Sequence, residues 1–192
     1  MPVNLASIGK NSVKMVPSMK EVKLESLWAE QTVVVTFFRR FGCVFCRQGA
    51  KELSLLTPLL ASHNVKNIGV GLEEFGLEEF VEGKFFNGDL YVDIEKKTYQ
   101  DLGYKRYGTF GVMMSLFSKT ARDALAKNKV DKLESNLKGD GLQTGGTLVI
   151  TKGGDQVLLD YRQDNPADQV DTAEILRVLE IPNPAAKDDA KH

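Results

Sequence analysis

Cys43 and Cys46 are the only cysteines in the chain, and they stand where an apolar strand gives way to a helix. Thr32-Val33-Val34-Val35-Thr36-Phe37-Phe38 is β-branched or aromatic throughout, the composition of a buried strand. Arg39-Arg40-Phe41-Gly42 punctuates it, and beyond the cysteines Phe45, Ala50, Leu53, Leu56, Leu59 and Leu60 recur at intervals of three and four, the period of a helix with one apolar face. Val65 to Gly71 follows directly and reads as a second buried strand. Strand, helix and strand in that order predict parallel pairing through a right-handed crossover, with the cysteine pair at the edge where the strands end.

The other elements are shorter. Ser12 to Val16 and Glu21 to Leu24, on either side of Pro17-Ser18, predict a hairpin, and Glu25 to Glu30 a helical turn that carries Trp28 into the core. Residues 71–80 repeat Gly-Leu-Glu-Glu-Phe, and their Leu and Phe spacing reads as one amphipathic helix. Leu90 to Asp93 reads as a strand, Glu95 to Leu102 as a helix and Lys105 to Gly108 as a loop. Residues 110–127 carry Phe110, Val112, Met113, Met114, Leu116 and Phe117, which fit either core packing or the wall of an apolar pocket. Gly145 to Ile150 and Gln156 to Tyr161 form a second hairpin across Lys152-Gly153-Gly154-Asp155, and Thr172 to Leu179 a last helix. With 192 residues and 42% hydrophobic content, a single domain over 1–181 is expected. The tail 182–192, rich in Pro, Ala, Lys and Asp, is expected to be mobile.

Helix position dictates the chemistry. Free N–H groups and the macrodipole at a helix N-terminus favour a thiolate over a thiol, so Cys43 is the expected nucleophile. Cys46, one turn on, is placed to attack an adduct on Cys43 and close a disulfide. Arg40 and Arg47 add positive charge, although strand alternation lets only one of Arg39 and Arg40 face the sulfur. A tetrahedral zinc site needs about four ligands, and beyond the cysteines only His63 and the terminal His192 are of the usual kind, so no metal is expected. Gly69-Val70-Gly71 fails as a dinucleotide fingerprint because Glu74 stands where the third glycine belongs. A net charge of −1 with intermixed signs supports neither nucleic acid nor an anionic membrane as partner. The chain has no run of about 18 apolar residues, and its first ten residues lack a continuous apolar core. A cytosolic protein is expected, in a compartment where a cysteine pair can cycle.

The element order is thioredoxin-like, an α/β fold with a central mixed sheet flanked by helices. Arg39-Arg40-Phe41-Gly42-Cys43-Val44-Phe45-Cys46-Arg47 resembles the active-site segment of the prostamide/prostaglandin F synthases, a peroxiredoxin-like family. Asp89-Leu90-Tyr91-Val92-Asp93, Leu102-Gly103-Tyr104-Lys105-Arg106-Tyr107, Leu142-Gln143-Thr144-Gly145-Gly146 and Lys152-Gly153-Gly154-Asp155 extend the resemblance over roughly 20–180. Peroxiredoxins place Pro seven residues and Thr or Ser three residues before the reactive cysteine; this chain has Thr36 and Arg40, which counts against efficient hydrogen peroxide reduction. Thr144-Gly145-Gly146 stands where thioredoxin folds carry a cis-proline facing the cysteine, so Gly145 and Gly146 either let a substrate approach the backbone or only make a turn.

The resemblance implies reduction of prostaglandin H2 and its ethanolamide to F2α products through a Cys43/Cys46 dithiol-disulfide cycle. It also implies NADPH as ultimate reductant with no bound cofactor evident, and a thioredoxin-type carrier as possible partner. Two other readings stay open: a general disulfide reductase or antioxidant acting on proteins, and a non-enzymatic redox-sensing module.

Overall fold

The computed structural model describes residues 2–108, 139–165 and 167–184. In chain order the elements are α1 (Leu5–Ile8), β1 (Ser12–Met15), β2 (Lys20–Lys23), β3 (Thr32–Phe38), α2 (Val44–Ser62), β4 (Val65–Gly71), α3 (Leu77–Glu82), β5 (Asp89–Val92), α4 (Lys97–Asp101), β6 (Gly146–Ile150), β7 (Val157–Arg162) and α5 (Thr172–Val178). One seven-stranded sheet runs β2-β1-β5-β4-β3-β6-β7. β3, β4 and β5 are parallel, and β6, β7, β1 and β2 join them antiparallel on the two sides. The sheet is therefore mixed, as expected of the thioredoxin-like order. The apolar segment 110–127 lies outside the described residues, as does the tail from residue 185.

Alternation along β3 sorts its side chains between two cores. Val33, Val35 and Phe37 point to the face packed by Ile8, Leu24, Trp28 and Tyr99, whereas Val34 and Phe38 meet Ala50 and Leu53 of α2 and Ile175 and Leu176 of α5. Both faces are covered, so β3 and β4 read as largely apolar rather than alternating, with Thr32 and Thr36 in β3 and Lys66 and Asn67 in β4 as the polar exceptions. Trp28 is 4% exposed, as the core assignment requires. The β6–β7 hairpin turns through Gly153 and Gly154 at φ 74° and 77°, a region open to glycine at little cost.

The helix expected over 71–80 forms only in its second half. Leu77–Glu82 is helical, but Gly76 at φ 79° precedes it and residues 72–76 leave β4 as a loop. Glu73 turns inward there, 9% exposed, and its Oε1 accepts the Asp140 N–H at 2.6 Å. A long-range hydrogen bond thus overrides the local amphipathic pattern.

The sequence left Gly145 and Gly146 open between substrate approach and turn making, and the strands occupy the space in question. A Cβ at Gly145 would collide with the Phe37 carbonyl, and one at Gly146 with the Tyr161 carbonyl. The close approach that glycine permits here is between β3, β6 and β7. Gly145→Ala is expected to destabilise the fold by about 2–3 kcal/mol, because backbone rather than a movable side chain must yield. Urea denaturation should show a lower midpoint with an unchanged slope.

Candidate active site

β3 ends at Phe38, and the next five residues carry the chain from the sheet edge to α2. Phe41 pins that loop. It is 1% exposed, and its ring packs at a tilt of 47° against Phe80 at a centroid distance of 4.7 Å, in the space left by the missing side chain of Gly71. Arg47 ties the same loop from the helix side. Its Nε donates to the Phe41 carbonyl at 2.9 Å, its Nη2 to Glu79 at 3.1 Å, and its guanidinium lies 4.6 Å from the Phe85 ring centre.

Cys43 is the N-cap residue of α2, with extended backbone at φ −79° and ψ 129°. Its N–H donates to the Arg40 carbonyl at 3.3 Å, and its carbonyl accepts the Arg47 N–H at 2.9 Å. Both cysteines are reduced and buried, Cys43 4% and Cys46 2% exposed. Arg39 faces the sulfur: Nη2 donates to Cys43 Sγ at 2.7 Å, and Nη1 to the Gly141 carbonyl at 2.7 Å.

The two thiols are electrostatically unlike. The Cys46 side chain, hydrogen-bonded to the Cys43 sulfur, holds the Cys43 pKa well below the usual thiol value against the opposing effect of burial. The Arg39 charge, the Cys46 peptide N–H and the Arg40 charge lower it further. The same hydrogen bond, followed by burial and the neighbouring sulfur's charge, pushes Cys46 well above the usual value, with Arg39 opposing. Burial lowers the Arg39 pKa, but the two sulfurs outweigh it and leave the guanidinium raised. Cys43 is thus an anion held by a cation, and Cys46 a protonated donor beside it.

Loop 139–144 supports this arrangement from behind. Asp140 pairs with Arg106 and with Lys96, the latter at 3.0 Å. Burial pushes the Asp140 carboxyl up, but those two cations and the Leu142 N–H prevail and hold it at about 2. Because Gly141 anchors Arg39, this ion-pair cluster sets where the guanidinium meets the sulfur.

Four of the six residues singled out from sequence stand at this place. Cys43 and Cys46 are in mutual contact, Arg40 is half-buried beside them, and Arg47 braces their loop. Gly145 and Gly146 are instead committed to strand packing. The charge on the sulfur belongs to Arg39, which alternation left as one of two choices, and not to Arg47, whose fork engages Phe41 and Glu79. Glu73, Lys96, Arg106 and Asp140 gave no local signal, since they converge only in the fold. Among the described residues no group of three or more His, Cys, Asp or Glu side chains is placed to hold a metal, and no helix is long and apolar enough to cross a membrane.

Comparison with known proteins places this arrangement in a family. Residues 52–165 match the family model of AhpC/TSA antioxidant enzymes, a match that begins inside α2, beyond the cysteine pair. The human prostamide/prostaglandin F synthase is 46% identical over 93% of this chain and 90% of its own length. The protein of the same name from Xenopus tropicalis is 44% identical over 93% of this chain and 89% of its own.

Solved structures agree on the fold. The bacterioferritin comigratory protein of Xanthomonas campestris superposes with a TM-score of 0.61 at 13% identity, covering 100% of this chain and 98% of its own. The peroxidoxin BcpB of Mycobacterium tuberculosis does so with a TM-score of 0.56 at 16% identity, covering 89% of this chain and 92% of its own. With relatives this similar across nearly its whole length, the chain belongs to the prostamide/prostaglandin F synthase family of peroxiredoxin-like oxidoreductases.

Proposed function

We propose that this chain reduces prostaglandin endoperoxides, prostaglandin H2 and its ethanolamide, to F2α products, with Cys43 as nucleophile and Cys46 as resolving thiol. The observation that carries the reading is the unequal pair: a Cys43 thiolate held by Arg39, with the protonated Cys46 thiol as its hydrogen-bond donor. A single domain over 1–181 houses the reaction.

The Cys43 thiolate attacks one oxygen of the O–O bond. The sulfur–oxygen bond forms as the O–O bond breaks, and the other oxygen leaves as an alkoxide. Arg40, half-buried beside Cys43, meets that developing charge, and the alkoxide takes up a proton. Cys46, once deprotonated, then attacks the Cys43 sulfur and expels the second oxygen, which is protonated in turn. Two electrons leave the thiol pair, the endoperoxide becomes two hydroxyls, and a Cys43–Cys46 disulfide remains.

Resetting the pair requires an external two-electron reductant. NADPH as ultimate source, delivered through a thioredoxin-type carrier in the cytosol, fits a chain whose one glycine-rich candidate for a dinucleotide site is interrupted by Glu74.

Fully reduced protein mixed with prostaglandin H2, without other reductant, tests the reading. The expected result is one F2α molecule per two thiols lost. Thiols that stay reduced while the endoperoxide only decays spontaneously would overturn it in favour of a protein disulfide substrate.

A further inference from the structure

The parallel run of β3, β4 and β5 brings the C-terminal ends of all three strands to one edge of the sheet. The Cys43 loop, residues 72–76 after β4 and residues 93–96 after β5 all leave from that edge. In open α/β sheets, ligands settle in the crevice outside such strand ends. A cleft of about 480 Å³ lies between the second and third loops, lined by Glu73, Glu74, Phe75, Ile94 and Lys96. That volume falls within the range of small-molecule sites. Its apolar walls are open to solvent, Phe75 at 63% and Ile94 at 41% exposure.

Two sets of contacts join this cleft to the thiolate. A Cβ on Gly76 would lie 3.2 Å from the Gly42 nitrogen, so the loop that carries Phe75 abuts the residue preceding Cys43. Glu73 holds the Asp140 N–H at 2.6 Å, and the adjoining Gly141 carbonyl holds Arg39, whose Nη2 reaches Cys43 Sγ. The loop that lines the cleft therefore packs against the loop that carries Cys43.

Charge decides what fits. Lys96 is engaged by Asp140 at 3.0 Å and lies 3.9 Å from Glu73, while Arg106 is paired with Asp140. Those pairs neutralise the cations near the floor, and Glu74 adds a negative charge at the rim. Such a cleft repels a carboxylate and offers two apolar surfaces instead. By contrast, the clefts of about 500 and 640 Å³ elsewhere are lined by neither of these strand-end loops.

Resting on the endoperoxide reading above, we propose that this cleft is the subsite for the apolar chain of the lipid endoperoxide, the chain without the carboxylate, while the peroxide bond meets Cys43. Phe75 and Ile94 are its walls, and they bind acid and ethanolamide alike because neither contact involves the head group.

A Phe75→Ser/Ile94→Ser double variant tests this by steady-state kinetics with prostaglandin H2 and its ethanolamide and by calorimetric titration with prostaglandin F2α. Both side chains are exposed, so the variant keeps the fold. Loss of two apolar walls is expected to raise both KM values about tenfold with kcat within twofold, and to weaken F2α binding to the same extent. Alkylation of Cys43 by iodoacetamide, which has no chain to place, should be unchanged.

Unaltered KM and unaltered F2α affinity would overturn the subsite and leave the endoperoxide reading standing. Should the native chain fail to turn over prostaglandin H2, that reading falls, and the F2α titration alone decides the subsite: weaker binding by the variant supports it, and equal or absent binding overturns it. A variant whose sole defect is slower re-reduction by a thioredoxin-type protein would make the cleft a protein dock and overturn the proposal.

Discussion

Serine in place of Cys43 is expected to abolish endoperoxide turnover, whereas Cys46→Ser is expected to stop the reaction after one step with substrate attached. The asymmetry follows from the pair's electrostatics. Cys43 carries the negative charge and is lowered well below an ordinary thiol, so the nucleophile disappears with it. Cys46 is raised well above one and is a poor nucleophile until Cys43 has reacted. Once the Cys43 sulfur is bonded to oxygen its charge is gone, the effect that held the Cys46 proton is relieved, and the second thiol can attack. A serine hydroxyl at 46 can still donate to the Cys43 thiolate but cannot displace oxygen from its sulfur. Mass spectrometry of Cys46→Ser after a single addition of prostaglandin H2 should therefore find one substrate molecule bound through Cys43, with one thiol lost and little product released. Normal turnover by Cys43→Ser would refute the mechanism outright. Full product release by Cys46→Ser without added thiol would remove Cys46 from it.

Much of the scaffold around this pair is readable from sequence because the residues that make it are near neighbours in the chain. β3 and β4 coincide with their apolar runs, since a parallel strand covered on both faces needs no polar side and is bounded by turn residues. The helix after the cysteines follows from the spacing of Ala50, Leu53 and Leu60, all of which are buried. What supports the sulfur was illegible for the opposite reason. Arg39 and Arg40 are equivalent by alternation, and Arg39 is selected by the Gly141 carbonyl, 102 positions away in sequence. Residues 71–80 carry an amphipathic period, yet Glu73 leaves it to hold the Asp140 N–H, 67 positions away. Gly145 and Gly146 announce a place where only glycine fits, but not whether the approaching atom belongs to a ligand or to Phe37 and Tyr161. Local pattern therefore located the nucleophile, and long-range hydrogen bonds chose its environment.

Arg39→Met offers the sharpest separation of charge from packing at this site, since methionine keeps much of the apolar stem and removes the guanidinium. Arg39 stabilises the charged form of Cys43, so its loss must move the thiol pKa upward. In the native protein the rate of Cys43 alkylation should stay level as pH falls below neutrality and drop only at the depressed thiol pKa. In Arg39→Met the inflection should move up, toward the ordinary thiol value of about 8.5. A complete return to that value would leave about 3% thiolate at pH 7, bounding the loss at about thirtyfold. The retained hydrogen bond from Cys46, the largest of the lowering effects, should hold the loss to about tenfold. Arg39→Lys restores the charge but not the fork that grips sulfur and Gly141 together, so it should recover the inflection only in part. The alkylation profile separates this from general damage: a structural defect would change accessibility at every pH, whereas loss of the cation displaces the curve along the pH axis and leaves its high-pH plateau near native. A native-like inflection in Arg39→Met would assign the lowered pKa to Cys46, Arg40 and the helix terminus without Arg39.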